Sequence, residues 1–147
     1  MIVPFRELGL ADIARVGGKS AHLGDLTQAG FHVPPGFAVT AEAFDAVVTP
    51  HVGELRAGVD PEDVAGLEER AESIRAAVES LDVPASLASE IEVAYAALGE
   101  ELGIAEPPVA ARSSAVAEDS ADASFAGMQS TYLWLRGAGE VLAGVRR

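Results

Sequence analysis

A glycine pair near the N-terminus constrains the fold of this chain most strongly, because it fixes where the first long helix can begin. Gly17 and Gly18 stand directly before a segment in which Leu23, Leu26 and Ala29 follow helical spacing. Gly30 is well placed to end that helix. Ahead of the helix, the apolar segment Met1–Phe5 predicts an edge strand.

Proline and turn residues organise the segment that follows. The sequence Val-Pro-Pro-Gly at Val33–Gly36 predicts a turn, and the apolar residues Phe37–Val39 predict a brief strand. Thr40 is a suitable N-cap for a short helix that we expect to end at Val48.

Two further helices are predicted in the middle of the chain. Asp60–Asp63 places proline at a first helical position and acids in a first turn, and a second helix is expected near Pro84. Their apolar stripes are Leu67, Ala71, Ile74 and Val78 in the first helix, and Leu87, Ile91, Ala94, Tyr95 and Leu98 in the second. Such stripes are what packing alone requires, so these helices indicate no function of their own.

The chain changes character after the proline pair at 107–108. Val109–Arg112 predicts a buried strand ending in a charge, Ser113–Gly127 a long loop, and Thr131–Leu135 a second strand. Gly137–Gly139 then leads into a helix expected from Glu140 to Arg147. The mixture of strands and helices predicts an α+β fold.

Composition excludes several classes of protein. The 147 residues suffice for one domain, and 49% hydrophobic with 22% charged residues is typical of a globular rather than a disordered chain. The net charge of -13 opposes binding to nucleic acid, and no apolar run is long enough to cross a membrane. The absence of cysteine excludes disulfides and is compatible with the cytoplasm, where we expect the protein to reside.

Lys19 is the first candidate binding residue. Gly18-Lys19-Ser20 suggests a phosphate-binding P-loop, but that motif needs a glycine where Ile13 stands, so it is absent. A lysine among glycines at a helix start can still neutralise phosphate, because the helix N-terminus attracts anions. The alternative from the sequence is a solvated surface lysine.

Arg112 is the second candidate. An arginine that ends an apolar strand beside Ser113 and Ser114 needs solvent or an anionic partner, and its planar fork suits phosphate. A structural ion pair with Glu118 or Asp119 would serve equally well, and the residues alone do not decide between the two.

The small-residue loop Ala123–Gln129 is the third candidate, because its amides could cradle phosphates. The alternative is a plain hairpin loop. Other chemistries lack their motifs: the sequence has no Gly-x-Ser-x-Gly nucleophile elbow, and His22, His32 and His51 lack metal-ligand spacing.

Four segments in order along the chain carry a resemblance to a known family. They are Val16–Leu26, Val33–Thr40, Ala111–Asp119 with its continuation Ala123–Gly127, and Thr131–Leu133. Together they resemble the nucleotide-binding part of the phosphoenolpyruvate synthase and pyruvate phosphate dikinase family, and also the related rifampin phosphotransferases. The helical middle of the chain contributes nothing to this resemblance.

The resemblance implies that residues 1–147 form the first subdomain of an ATP-grasp domain, cut off before the domain is complete. It implies that Lys19 and Arg112 contact the phosphates of ATP, with the loop around Gly127 covering them and Thr131 near the end of that loop. It places the Mg²⁺-binding acids, the adenine-contacting residues and the phosphohistidine domain beyond Arg147, and it implies no catalytic residue within the chain. The enzymes of this family phosphorylate a carrier histidine and then pyruvate, or rifampin in the resistance enzymes.

The chain departs from the family pattern at four positions. Ser20 and His22 replace an asparagine and a serine, Met128 stands where glutamine is common, and Trp134 replaces a frequent asparagine. None of these removes an expected phosphate contact. Two hypotheses follow: the chain is the ATP-binding part of a phosphotransferase, or it is a stand-alone module that kept the fold and lost the activity.

Overall fold

The computed structural model describes residues 1–56, 64–115 and 130–146 as a mixed helix and sheet structure, in agreement with the predicted α+β class. Its strands are β1 (Ile2–Pro4), β2 (Phe37–Val39), β3 (Val109–Arg112) and β4 (Thr131–Leu135). Its helices are α1 (Ile13–Gln28), α2 (Ala41–Arg56), α3 (Val64–Ser80), α4 (Ala85–Leu102) and α5 (Gly137–Arg146). Short 3-10 turns at Phe5–Glu7 and Leu10–Asp12 connect β1 to α1.

The antiparallel pair β1–β2 forms a partition between two hydrophobic clusters, with Ile2 opposite Val39 and Val3 opposite Ala38. Successive strand residues face opposite sides. Val3 and Ala38 therefore pack with Val16 and Ala21 of α1, while Ile2, Phe37 and Val39 pack against the cluster of α4 residues Leu87, Ile91 and Tyr95.

Helix α1 has a break where the glycine pair lies. Gly17 has φ 76° and ψ 164°, so a short turn ends there and an uninterrupted helix runs from Gly18. The prediction that glycines open this helix is confirmed, and so is its end, since Gly30 follows the C-cap residue Ala29 with a φ of 81°.

Helix α2 is longer than predicted. It begins directly after Thr40, as expected, but continues past Val48 through Pro50 to Arg56. Proline removes a backbone donor and usually ends or kinks a helix. The helix continues because Val48 and Val52, one turn apart on either side of Pro50, are both buried on one face.

Helices α3 and α4 differ in how well their predicted stripes match the structure. In α4, Leu87, Ile91, Tyr95 and Leu98 are buried as expected. In α3, which packs on α2, Leu67, Ile74 and Val78 are only half-buried and Ala71 is exposed. The predicted start of α3 at Asp60–Asp63 lies outside the described residues.

Tyr95 joins three elements at the end of α4. Its hydroxyl donates to the carbonyl of Pro107 at 2.8 Å and accepts the amide of Gly137 at 2.9 Å. A second donor at the start of α5, the amide of Arg136, reaches the carboxylate of Glu140 at 2.8 Å. Because the amides of Arg136 and Gly137 both have hydrogen-bond acceptors, α5 can begin at Gly137. This is three residues before the predicted start at Glu140.

Strands β3 and β4 form the predicted antiparallel pair, which α5 covers on one side. Ala111 and Leu135 face α5, since a Cβ at Gly144 would touch both of them. Among the described residues, no helix is long and apolar enough to cross a membrane.

Candidate functional site

The start of the long part of α1 lies against the segment that follows β3. The Nζ atom of Lys19 donates to the carbonyl of Ser113 at 3.3 Å, 94 positions away along the chain. The amide of Gly18 donates to the carbonyl of Ala115, also at 3.3 Å. Lys19, in the first turn of this helix, and Arg112, at the end of β3, are therefore brought to the same edge of the molecule.

Gly17 stands at the N-cap position of the long part of α1 but has no side chain to cap it. The side chain of Ser114 takes that role. Its hydroxyl accepts the amide of Ser20 at 3.3 Å, which is the contact an N-cap side chain normally makes with the third helical residue. A Cβ at Gly17 would collide with the carbonyl and hydroxyl of Ser114. The glycine pair thus allows one part of the chain to approach another, where the sequence had suggested an approach by a ligand.

This capping limits how α1 can bind an anion. Two amides at the helix start, those of Gly18 and Ser20, already donate to the segment after β3. An anion at this edge would therefore meet mainly side chains, with Lys19 half-buried and Arg112 exposed.

Arg112 and Thr131 are paired across the β3–β4 ladder. Ala111, the neighbour of Arg112, faces α5. Because side chains alternate along a strand, Arg112 lies on the opposite, outer face of the sheet. Thr131 shares that face, since directly paired residues point the same way. The structure therefore places Arg112 and Thr131 side by side.

A β-bulge interrupts β4 immediately after this pair. Tyr132 is opposite Ala111 and Leu135 is opposite Val109, so two residues of β4, Leu133 and Trp134, stand against one residue of β3. Trp134 has a φ of 61°, a left-handed conformation that costs a bulky residue on the order of 1–3 kcal/mol.

The bulge determines which side chains of β4 face outward. Leu133 and Trp134 are 63% and 74% exposed, whereas Leu135 packs in the core. In a regular strand, Trp134 would face inward with Tyr132. The apolar and aromatic residues of Thr131–Leu135 predict an ordinary strand without a bulge. The run of three apolar residues, Leu-Trp-Leu, could have indicated the bulge, because a regular strand with one buried face alternates apolar and polar side chains.

The remaining candidates are either outside the described residues or engaged with other groups in the described part of the chain. Gly127 and the possible Arg112 partners Glu118 and Asp119 lie outside the described residues. The Nδ1 atom of His22 lies 2.7 Å from the Gly18 carbonyl, so it donates to the helix backbone. Within the ranges that the structure describes, no three His, Asp or Glu side chains form a group that could hold a metal ion.

A helix start carrying a lysine, set against a strand end carrying an arginine, is an arrangement suited to an anionic nucleotide. Residues 13–147 match the family described as "Pyruvate phosphate dikinase, AMP/ATP-binding domain". The chain belongs to this family of nucleotide-binding domains, which confirms the resemblance seen in the sequence.

Curated relatives give the same assignment. The chain is 45% identical over 148 residues to a probable phosphoenolpyruvate synthase of Methanothermobacter thermautotrophicus, an alignment that covers 97% of the chain and 22% of the relative. It is 41% identical over 155 residues to the phosphoenolpyruvate synthase of Deinococcus radiodurans, covering 99% of the chain and 19% of that protein. The chain thus spans about a fifth of the length of these relatives.

Proposed function

We propose that this chain is the first subdomain of an ATP-grasp domain and that Lys19, Arg112 and Thr131 bind the phosphates of ATP, with Gly127 in the covering loop. The domain would belong to a phosphotransferase that phosphorylates a carrier histidine and then pyruvate or a related acceptor. The relatives are named as phosphoenolpyruvate synthases, which supports the choice of pyruvate.

One observation carries this proposal: the fold brings Lys19 against the backbone of the residue that follows Arg112, far away in the sequence. The side chain of Lys19 contacts the carbonyl of Ser113, the residue directly after Arg112. Thr131 lies across the ladder from Arg112 and offers a hydroxyl. The net charge of -13 makes a local pair of cations more notable, because the protein as a whole repels anions.

The chemistry of the three side chains is complementary. The guanidinium of Arg112 can hold two phosphate oxygens at once, while the ammonium of Lys19 acts as a point charge. Mg²⁺, which bridges phosphates in phosphoryl transfer, is implied by the family. The family resemblance, and not the structure, suggests that its ligands lie outside this chain.

Calorimetric titration with ATP, ADP and AMP tests the proposal. Affinity should decrease as phosphates are removed, and Lys19→Ala or Arg112→Ala should weaken ATP binding and reduce the difference between ATP and AMP. Arg75→Ala, on an exposed position of α3, is the matched control because it changes the net charge equally. Equal affinity for ATP and AMP in the wild-type chain, or an equal loss in the control, would overturn the proposal.

A further inference from the structure

His22 lies three residues after Lys19 in α1, and its side chain is exposed. The side chain of a helical residue covers the turn that precedes its own Cα, and the ring of His22 does so here, with Nδ1 2.7 Å from the carbonyl of Gly18. Lys19 belongs to that same turn and reaches the carbonyl of Ser113. The ring of His22 therefore lies at the helix start, beside the lysine that we assign to a phosphate of ATP.

The contact with Gly18 decides which nitrogen of the His22 ring holds the hydrogen. A carbonyl oxygen only accepts hydrogen bonds, so Nδ1 carries the hydrogen in the neutral ring and Nε2 carries none. In this form Nε2 offers a phosphate oxygen only a lone pair, whereas the imidazolium form donates a hydrogen bond from Nε2 and adds a positive charge. His22 can thus bind a phosphate only when it is protonated.

We propose that His22 is a further phosphate-binding residue, which contacts a phosphate of ATP through Nε2 when its ring is protonated, so that the affinity for ATP rises with falling pH. This inference rests on the proposed function, because Lys19 must hold the phosphates at the helix start for His22 to reach them. His22 is one of the four positions at which the chain departs from the family pattern, so the pH dependence would be particular to this chain and its like.

The charged neighbours of His22 set the conditions under which its ring takes up a proton. Lys19 and Asp25 stand three residues before and after His22, the spacing at which helical side chains meet. Lys19 opposes a second positive charge beside it until an anion lies between the two side chains, so ATP binding and protonation of His22 favour each other. Among the described residues of the elements that adjoin α1, no charged or titratable side chain pairs with His22; these residues are Arg6, Glu7, Asp12, Glu42, Asp45, His51 and Arg112.

Asp25 is the competing partner for a protonated His22. A helical pair of this spacing is a solvent-exposed ion pair, which contributes little to stability. If His22 pairs with Asp25 instead of with a phosphate, protonation of the ring adds nothing to the affinity for ATP. The two partners therefore predict different pH dependences of ATP binding.

Calorimetric titration with ATP at about pH 8 and about pH 6, on either side of the range in which histidine changes charge, tests the inference. The phosphates of ATP titrate in this range themselves, so His22→Ser, which restores the residue of the family pattern, supplies the baseline. Relative to that baseline, the wild-type chain should gain roughly three- to fivefold in affinity at the lower pH. His22→Lys carries a permanent charge and should follow the pH dependence of the baseline while binding ATP more tightly at both pH values.

His51 provides the matched control, because it is exposed in α2 and its Nδ1 makes the same bond, to the carbonyl of Val47 at 2.8 Å. His51→Ser should keep the wild-type pH dependence. A second readout needs no substitution: at about pH 7, ATP should move the NMR signal of the His22 ring towards that of the protonated form and leave the signals of His32 and His51 in place.

The outcomes separate this inference from the proposed function. ATP binding that Lys19→Ala weakens, but with the same pH dependence in wild type and His22→Ser and an unmoved His22 signal, would overturn the role of His22 alone. ATP binding that Lys19→Ala leaves unchanged, or no ATP binding at either pH, would overturn the proposed function and the role of His22 with it.

Discussion

Gly17 shows at the scale of a single residue how the N-terminal helix and the strand pair are joined. Its φ of 76° and ψ of 164° lie in a region that essentially only glycine occupies. The same position leaves no space for a side chain, because Ser114 lies against it. Gly17 therefore both interrupts helix α1 and leaves space for the segment after Arg112 to pack against it.

Gly17→Ala should destabilise the fold by about 1–3 kcal/mol from backbone strain alone, with the collision against Ser114 adding to that loss. Gly53→Ala in α2 is the matched control, since no atom lies within 4 Å of the added Cβ and alanine favours a helix by about 1 kcal/mol. Urea unfolding monitored by circular dichroism measures the stability of both variants. Equal midpoints for Gly17→Ala and wild type would contradict the packing described here.

Arg112→Lys should weaken ATP binding far more than its retained charge suggests. A bidentate charge-assisted contact contributes about 1.5–3 kcal/mol, so its loss corresponds to roughly a tenfold to hundredfold decrease in affinity. A purely structural ion pair with Glu118 or Asp119 would instead tolerate lysine, and Arg112→Ala would then mainly lower the melting temperature. Titration and thermal unfolding of both variants distinguish these outcomes. Unchanged ATP affinity in Arg112→Lys would exclude the bidentate role.

At the scale of elements, the sequence predicted the order and type of the described strands and helices better than their limits. The apolar segment Met1–Phe5 located β1, and glycine and proline signals located β2, the main part of α1 and the start of α4 closely. Long-range contacts set the other limits. Burial of Val48 and Val52 carries α2 through Pro50, and the hydroxyl of Tyr95 starts α5 at Gly137. The bulge at Trp134 is likewise a property of strand pairing, which local alternation cannot reveal.

Tyr95→Phe isolates one of these long-range contacts. The substitution keeps the buried ring but leaves the Pro107 carbonyl and the Gly137 amide without their partner. Leaving buried polar groups unsatisfied costs about 1–3 kcal/mol, and we expect a loss of that size in the free energy of unfolding from denaturant titration. A loss below about 0.5 kcal/mol, less than a typical net hydrogen bond, would show that the hydroxyl does not hold α4, β3 and α5 together.

At the scale of the whole molecule, two hydrophobic clusters lie on either side of β1–β2, and the candidate site lies where α1 meets the β3–β4 pair. The residues themselves indicated Lys19 and Arg112 as separate candidates, and the family resemblance added Thr131 and assigned all three to one ligand. Only the fold brings Lys19 next to Ser113, because 94 positions separate the two residues. Nothing in the sequence predicted that Ser114 caps α1. Its position shortly after Arg112 was the only reason to consider it.

We expect that this chain does not turn over ATP by itself. Phosphoryl transfer relies on metal ions that bridge the phosphates, and the family resemblance implies that the acids that bind these ions lie outside residues 1–147. The measurement is phosphate and AMP release with ATP and Mg²⁺, using Lys19→Ala as the background. Sustained release above that background would mean that a complete catalytic site lies within residues 1–147.

If Lys19 and Arg112 both bind the phosphates of ATP, Lys19 allows a direct test because it is the only lysine in the chain. Its acetylation rate can be followed by mass spectrometry, with the amino group of Met1, which lies beside Glu90, as an internal reference. ATP should slow acetylation of Lys19 in proportion to the fraction bound and leave Met1 unaffected, and Arg112→Ala should remove most of this protection. A Lys19 rate that ATP does not change, at concentrations where calorimetry shows binding, would contradict the account.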